Sequence, residues 1–278
     1  MKKASKHIVG ITGGTGALGS FFIKKYKKKF NFRFYNKRIE NRKDFSKWLG
    51  KNNDIEIFLH LAALSSIKKS NLNKKITRKI NTIAPIDIIK EFKKSNIKNL
   101  KYFLFSSTSH VYKPSFKKLS EGAKRLPQTT YGQSKKIVED FIFKNRNKVS
   151  FKIGIARIFN FHSKSHKDGF FIYDIKQRLK SSKDYLFLKR INTNRDYIHI
   201  SQLCEILYFM TQKRINNVLN IGSGKSLSLI KLVKLIKDRF KIKTLFEYDQ
   251  KKYPGLCADI KLLRKLGYKK KIRTNIFQ

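Results

Sequence analysis

Along this chain, short apolar runs alternate with longer stretches in which apolar residues return every three or four positions. Runs at 7–12, 32–35, 55–60, 102–106, 151–156 and 218–221 predict β-strands, and the stretches 17–29, 44–49, 85–95, 131–145, 169–181, 201–212 and 227–240 predict helices. Strand and helix in alternation imply a parallel sheet covered on both faces, the α/β class in its doubly wound form. The chain is expected to leave this main domain after Phe159 and again after Gly222. Residues 1–159 and 195–221 would then form the large domain. Residues 160–194 and 222–278 would form a smaller, discontinuous lobe that closes over a bound ligand.

Composition narrows the class. A length of 278 residues with 40% hydrophobic content leaves room for one large α/β domain and a lobe. No apolar run approaches the roughly 18 residues of a membrane span. Met1-Lys-Lys-Ala-Ser-Lys followed by Ile8-Val-Gly-Ile11 superficially resembles a secretory signal. Its apolar part is short and Gly13-Gly14 interrupt it, so it reads as the first strand. Cys204 and Cys257 stand far apart without metal-ligand spacing, and are expected to be core thiols in a reducing cytoplasm. No metal site is expected.

The formal net charge is +47. Lysines are spread in short runs over the whole chain, whereas a nucleic-acid groove concentrates charge on one face and interleaves it with aromatics. Lys, Ile and Asn are enriched together, which reads as a compositional bias at solvated positions. Such a surface attracts anionic substrates and raises encounter rates, but no specific nucleic-acid partner is expected.

The chemistry gathers around two motifs. The first run leads straight into Gly13-Gly-Thr-Gly16-Ala-Leu-Gly19, which opens a helix. Gly13 permits the sharp turn, Gly16 lets the backbone approach phosphate, and Gly19 lets helix pack on strand. Backbone N–H groups across Gly13, Thr15, Gly16, Ala17, Leu18 and Gly19, with the helix dipole behind them, suit a dinucleotide pyrophosphate. The second motif is Tyr131-Gly-Gln-Ser-Lys135, which sets a phenol and an ammonium one helical turn apart on one face. A nearby ammonium and an oxidised nicotinamide together favour the phenolate, so Tyr131 is expected to exchange a proton at a sugar oxygen while hydride crosses at carbon. Lys135 is also expected to bond the nicotinamide ribose. The fourth run ends in Ser106-Ser-Thr-Ser-His-Val-Tyr112, with hydroxyls at the edge where parallel sheets bind ligands. Thr108 is the expected third catalytic group, and Ser106 joins the cofactor set.

These motifs carry a resemblance over nearly the whole chain. Besides those above, it rests on His60-Leu-Ala-Ala63, Asn81, Glu121, Pro127, Arg157-Ile-Phe-Asn160, Arg195-Asp-Tyr-Ile-His199, Asn220-Ile-Gly-Ser-Gly224, and Asp259 ahead of Leu266-Gly267. The chain resembles an extended short-chain dehydrogenase/reductase of the NAD-dependent epimerase/dehydratase family, whose members act on nucleotide-linked sugars. The resemblance implies a Rossmann fold, a Thr108/Tyr131/Lys135 triad and a homodimer. It implies that Leu61, Ala62 and Ala63 line the cofactor ribose, that Asn81 supports the loop beside it, and that Phe159 sits near the nicotinamide. Asn160 and Arg195 would meet the substrate diphosphate, and a guanidinium fork does match phosphate oxygens.

Departures from the family pattern point to the reaction. NAD enzymes usually end the second strand with a carboxylate for the ribose 2′-hydroxyl. Here that position reads Tyr35-Asn36-Lys37-Arg38, so Lys37 or Arg38 could hold a 2′-phosphate. This favours NADP, with NAD the alternative. Ser109 and His110 stand where 4,6-dehydratases place an acid, which argues against dehydration. Lys251 and Lys252 stand in for an expected arginine at the phosphates. The expected activity is reduction of a nucleotide-linked 4-keto-sugar by NADPH. An NAD-dependent 4-epimerase is the alternative, and a non-catalytic RNA-binding member of the same fold is the rival from another class.

Overall fold

The computed structural model describes residues 6–95, 97–166, 168–182 and 184–272. Its first half runs β1 (Ile8–Thr12), α1 (Ala17–Tyr26), β2 (Asn31–Tyr35), α2 (Arg42–Gly50), β3 (Ile57–His60), α3 (Ile67–Leu72), α4 (Lys74–Arg78), α5 (Ala84–Lys94), β4 (Tyr102–Thr108) and α6 (Thr130–Asn145). It continues through β5 (Lys152–Ile158), β6 (Asn160–His162), α7 (Phe171–Ser181), β7 (Tyr185–Leu188), β8 (Asn194–His199), α8 (Ile200–Lys213), β9 (Val218–Ile221), β10 (Ser226–Ser228), α9 (Leu229–Phe240), β11 (Leu245–Tyr248) and α10 (Lys261–Lys265).

Six strands form one parallel sheet in the order β2-β1-β3-β4-β5-β9. Side chains alternate between its faces. Val9, Ile11, Leu59, Leu104 and Leu219 pack with α1 and α8, whereas Phe58, Phe103, Phe105 and Ile155 pack with α2, α5 and α6. Both faces are covered, which is why these strands read as nearly unbroken apolar runs. The strand order reverses between β1 and β3, and such a switch point opens a crevice at the carboxyl ends of the strands.

The second lobe has its own core, made of Ile172, Ile175 and Leu179 from α7, Leu188, Tyr197, and Leu229, Leu232, Val233 and Ile236 at α9. It carries a three-stranded sheet, β10-β8-β6, and a two-stranded one, β11-β7. Leu263, Tyr268 and Ile272 pack instead in the large-sheet layer beside α1 and α8. We therefore propose the division expected from sequence with two amendments: β8 belongs to the lobe, so that the large domain resumes at about residue 200, and after about residue 260 the chain returns to the large domain. The helix expected at 17–29 ends at Tyr26, where the chain turns through Lys29. Cys204 and Cys257 are buried free thiols, and burial pushes them up to about 12 and about 11.

Candidate active site

The crevice begins with the glycine turn. Gly13 has φ +73°, and a Cβ there would lie 2.5 Å from the Ala62 backbone nitrogen. A Cβ on Gly19 would strike the Gly13 carbonyl, so α1 could not approach β1 as closely. The helix opens at Gly16 with no side-chain cap and no acid in its first turn. Its leading N–H groups and dipole are thus left for an anion, and a pyrophosphate fits that cradle. The Gly13–Ala62 approach puts Leu61, Ala62 and Ala63 on the opposite wall. Asn81 braces that wall: its amide donates to the Leu64 carbonyl at 3.0 Å and accepts from the Leu64 N–H at 2.8 Å.

At the outer end of the crevice Asn36, Lys37, Arg38, Arg42, Lys43, Glu40 and Asp44 line an open depression. Lys37 Nζ lies 3.5 Å from Asp44 Oδ1, and Arg42 Nε lies 3.6 Å from Glu91 Oε2. Arg38 and Lys43 have no ion pair among the described residues.

Deeper in, β4 and α6 bring Thr108, Tyr131 and Lys135 together. Thr108 lies beside Tyr131, and its Oγ1 accepts from the His110 N–H at 3.3 Å. Lys135 is fully buried; its Nζ donates to the Ser106 carbonyl at 2.8 Å and lies 4.7 Å from the centre of the Phe105 ring. Ser106 Oγ donates to the His60 carbonyl at 2.8 Å, which locks β4 to β3. Burial pushes Tyr131 up to about 12, with Thr108 pulling the other way. Burial also draws Lys135 down to about 7, against the raising influence of Glu139. In the protein alone, desolvation outweighs any help that the ammonium gives the phenol.

The substrate end is built by the three-stranded sheet. Arg195 on β8 is deeply set and makes no ion pair among the described residues; its Nη1 donates only to the Asn194 carbonyl, at 3.5 Å. Asn160 on β6 donates to the Asp196 carbonyl at 3.1 Å, so its amide is engaged in joining the two strands. Phe159, expected beside the nicotinamide, has its ring buried with Val111, Tyr112, Leu119 and Leu256, and it supports the pocket by packing. Lys252 borders a small cleft with Asn194, Ser226 and Cys257, while Lys251 lies over the Tyr253 ring.

The family model of the NAD dependent epimerase/dehydratase family matches residues 9–222. The chain belongs to this family. It is 24% identical over 233 residues to the GDP-6-deoxy-D-talose 4-dehydrogenase of Aggregatibacter actinomycetemcomitans, covering 81% of this chain and 78% of that one. It is 23% identical over 296 residues to the dTDP-4-dehydro-6-deoxyglucose reductase of Escherichia coli, covering 96% and 93%. The UDP-glucose 4-epimerase of Thermotoga maritima, solved with UDP-glucose, superposes with a TM-score of 0.80 at 20% identity, covering 95% and 94%.

This epimerase/dehydratase family member is thus an enzyme, with NAD(P) as its cofactor class. No helix among the described residues is long and apolar enough to cross a membrane, and none of their His, Cys, Asp and Glu side chains cluster as a metal site. Several motif residues turn out to be braces. Asp196 accepts from the Ser223 N–H and hydroxyl, the Gly224 N–H and the Ala258 N–H, which ties three distant segments together. Asn220 accepts from the Tyr112 hydroxyl at 2.6 Å, and its N–H donates to Glu121. Two motif residues near the triad were given no place in the site by sequence. His60, fully buried under the cradle, pairs through Nδ1 with Thr12 Oγ1 at 3.1 Å. The His110 ring faces Tyr131 at 6.2 Å and lies within the field of Arg195.

Proposed function

We propose that this enzyme reduces the 4-keto group of a nucleotide-linked sugar with NADPH, in the cytoplasm and as a homodimer. The observation that carries the reading is the open depression after β2, lined by Lys37, Arg38, Arg42 and Lys43. A 2′-phosphate suits that cluster, and net reduction suits a cofactor that is exchanged at every turnover. The dehydrogenase and reductase relatives, both named for chemistry at a sugar C4, support the same reading.

When bound, the nicotinamide supplies hydride to the substrate carbon. Gly13, Thr15, Gly16, Ala17, Leu18 and Gly19 hold the pyrophosphate. Leu61, Ala62, Ala63, Asn81, Ser106 and Phe159 shape the inner wall, and Lys135 holds the ribose. Tyr131 Oη donates the proton to the ketone oxygen, with Thr108 Oγ1 orienting both. Asn160 and Arg195 face the diphosphate. Turnover of dTDP-4-dehydro-6-deoxyglucose, followed as loss of NADPH absorbance, tests the proposal. Interconversion of UDP-glucose without net cofactor use would replace it with the epimerase.

That second reading has an observation of its own, since Asp44 pairs with Lys37 in the same depression. The cofactor choice is therefore worth measuring directly. NADPH should bind more tightly than NADH by about tenfold or more, as expected for a phosphate on two charged partners. Lys37→Asp combined with Arg38→Ala should reverse the order in a fluorescence titration. A wild type that prefers NADH rejects the reductase.

Surface charge gives a further expectation. If the lysines are solvated bias, RNA should bind weakly, without sequence preference, and release between about 50 and 200 mM salt. NADPH, which also contacts backbone at 13–19, should weaken far less. Tight binding of one RNA sequence at the upper salt, in competition with NADPH, would favour the nucleic-acid reading.

A further inference from the structure

We propose that His110 is a specificity-determining residue that hydrogen-bonds a free hydroxyl on the carbon next to the reacting one, which in a 4-keto-hexopyranose is the 3-hydroxyl. This inference rests on the nucleotide-sugar reading above.

The placement comes from the fold. The His110 backbone N–H donates to Thr108 Oγ1, so the imidazole follows directly from the group that orients Tyr131. The ring lies deep beneath the surface yet keeps accessible area, on the side where Tyr131 and Arg195 converge. Its two nitrogens make no hydrogen bond among the described residues. An imidazole that keeps access to the crevice with both nitrogens free of protein partners can exchange water for a ligand's hydrogen bonds.

Charge decides what that ligand group is. Burial, and then the Arg195 cation, hold His110 down to about 4, so it is neutral at working pH. A neutral imidazole offers one N–H and one lone pair. An alcohol offers the same two functions in reverse, whereas a diphosphate accepts only and belongs with Arg195. Tyr131 would address the oxygen of the reacting carbon, and the His110 ring centre lies 6.2 Å from that of Tyr131. Of the two carbons beside C4, C5 carries the ring oxygen and the exocyclic carbon. Only C3 carries a free hydroxyl.

The test compares wild type, His110→Ala and His110→Asn on dTDP-4-dehydro-6-deoxyglucose and its 3-deoxy analogue with NADPH. In parallel, calorimetry of the enzyme–NAD(P) complex compares UDP-glucose with UDP-3-deoxyglucose. Wild type should favour the 3-hydroxy member of each pair by about 100-fold or more. His110→Ala should lose about 10- to 100-fold on the 3-hydroxy compound, mostly in KM, and almost nothing on the 3-deoxy one. Asn, which keeps a donor and an acceptor, should recover part of the loss. Equal losses on both members overturn the proposal. So does solvent deuterium entering C3 or C5 in wild type and not in His110→Ala, since His110 would then move a proton at carbon. A 3-hydroxyl preference in the UDP-glucose pair without turnover of the 4-keto pair supports His110 and rejects only the reductase. If wild type takes up NADPH and neither pair, the nucleotide-sugar reading fails and this inference with it.

Discussion

Replacing Tyr131 with Phe should lower turnover by about 10²–10⁴ while leaving NADPH affinity nearly unchanged. The substitution removes one oxygen from a side chain that packs at the start of α6, and leaves the glycine cradle and Lys135 in place. What is lost is the proton that Oη donates, beside Thr108. With burial holding the phenol up at about 12, Tyr131 is protonated at neutral pH, the form a reductase needs. Lys135 sets the other limit. Its ammonium is drawn down to about 7 by burial, so the charge is present below that value and lost as pH rises through it. In wild type, kcat/KM for reduction should therefore fall above about pH 7. Stopped-flow single turnovers with purified Tyr131→Phe measure the first effect, and a steady-state pH profile measures the second. Turnover near wild type in the variant would reject the triad assignment and revive the scaffold reading.

The large sheet was legible because burial on both faces makes each strand an apolar run that needs no partner to be recognised. β1, β3, β4, β5 and β9 all fall within two residues of their expected bounds. The glycine turn was legible for a related reason: the contacts that exclude a side chain at Gly13 and Gly19 lie mostly within the same turn and the strand beside it. The small sheets were not. Asn194–His199 is polar at four of its six positions, and its extended form depends on pairing with β6 and β10 and on the four N–H and O–H groups that Asp196 gathers. Such pairing is long-range and leaves no local period. At the other end of the lobe, the helix expected from 227 begins only at Leu229, because Leu227 and Ser228 pair with β8 first.

The site divides in the same way. Spacing alone put Tyr131 and Lys135 on one face, and the strand end marked Thr108. Spacing could not show that both titrating groups are dehydrated, which is why the phenol stands at about 12. Nor could it show that Arg195, from the second lobe, would bring its charge to His110. That influence depends on where the pairing of β8 with β6 and β10 sets Arg195.

The largest effect on stability is expected one turn beyond Lys135. Glu139 is fully buried, and its carboxylate accepts from Arg157 Nε and Nη2, from the Ser107 hydroxyl at 2.5 Å and from Arg125 at 3.3 Å. Arg157, itself 2% exposed, also donates to the Tyr112 hydroxyl and the Glu121 carbonyl. The network fastens α6, which bears Tyr131 and Lys135, to β4, which bears Thr108. Glu139→Leu would leave the guanidinium buried without its anion, at a cost of roughly 3–5 kcal/mol. For a chain of this size that corresponds to a fall in Tm of roughly 10 °C. Arg157→Met added to Glu139→Leu should recover part of the loss, because the stranded charge is then gone. The milder Glu139→Gln should act on chemistry as well. Glu139 supports the Lys135 ammonium, so removing its charge lowers that pKa further, and the alkaline limb of kcat/KM should move to lower pH. Thermal unfolding and the pH profile are independent measurements. A Glu139→Leu protein that melts with wild type would show that the buried pair holds nothing together, and an unmoved limb in Glu139→Gln would separate Glu139 from the catalytic lysine.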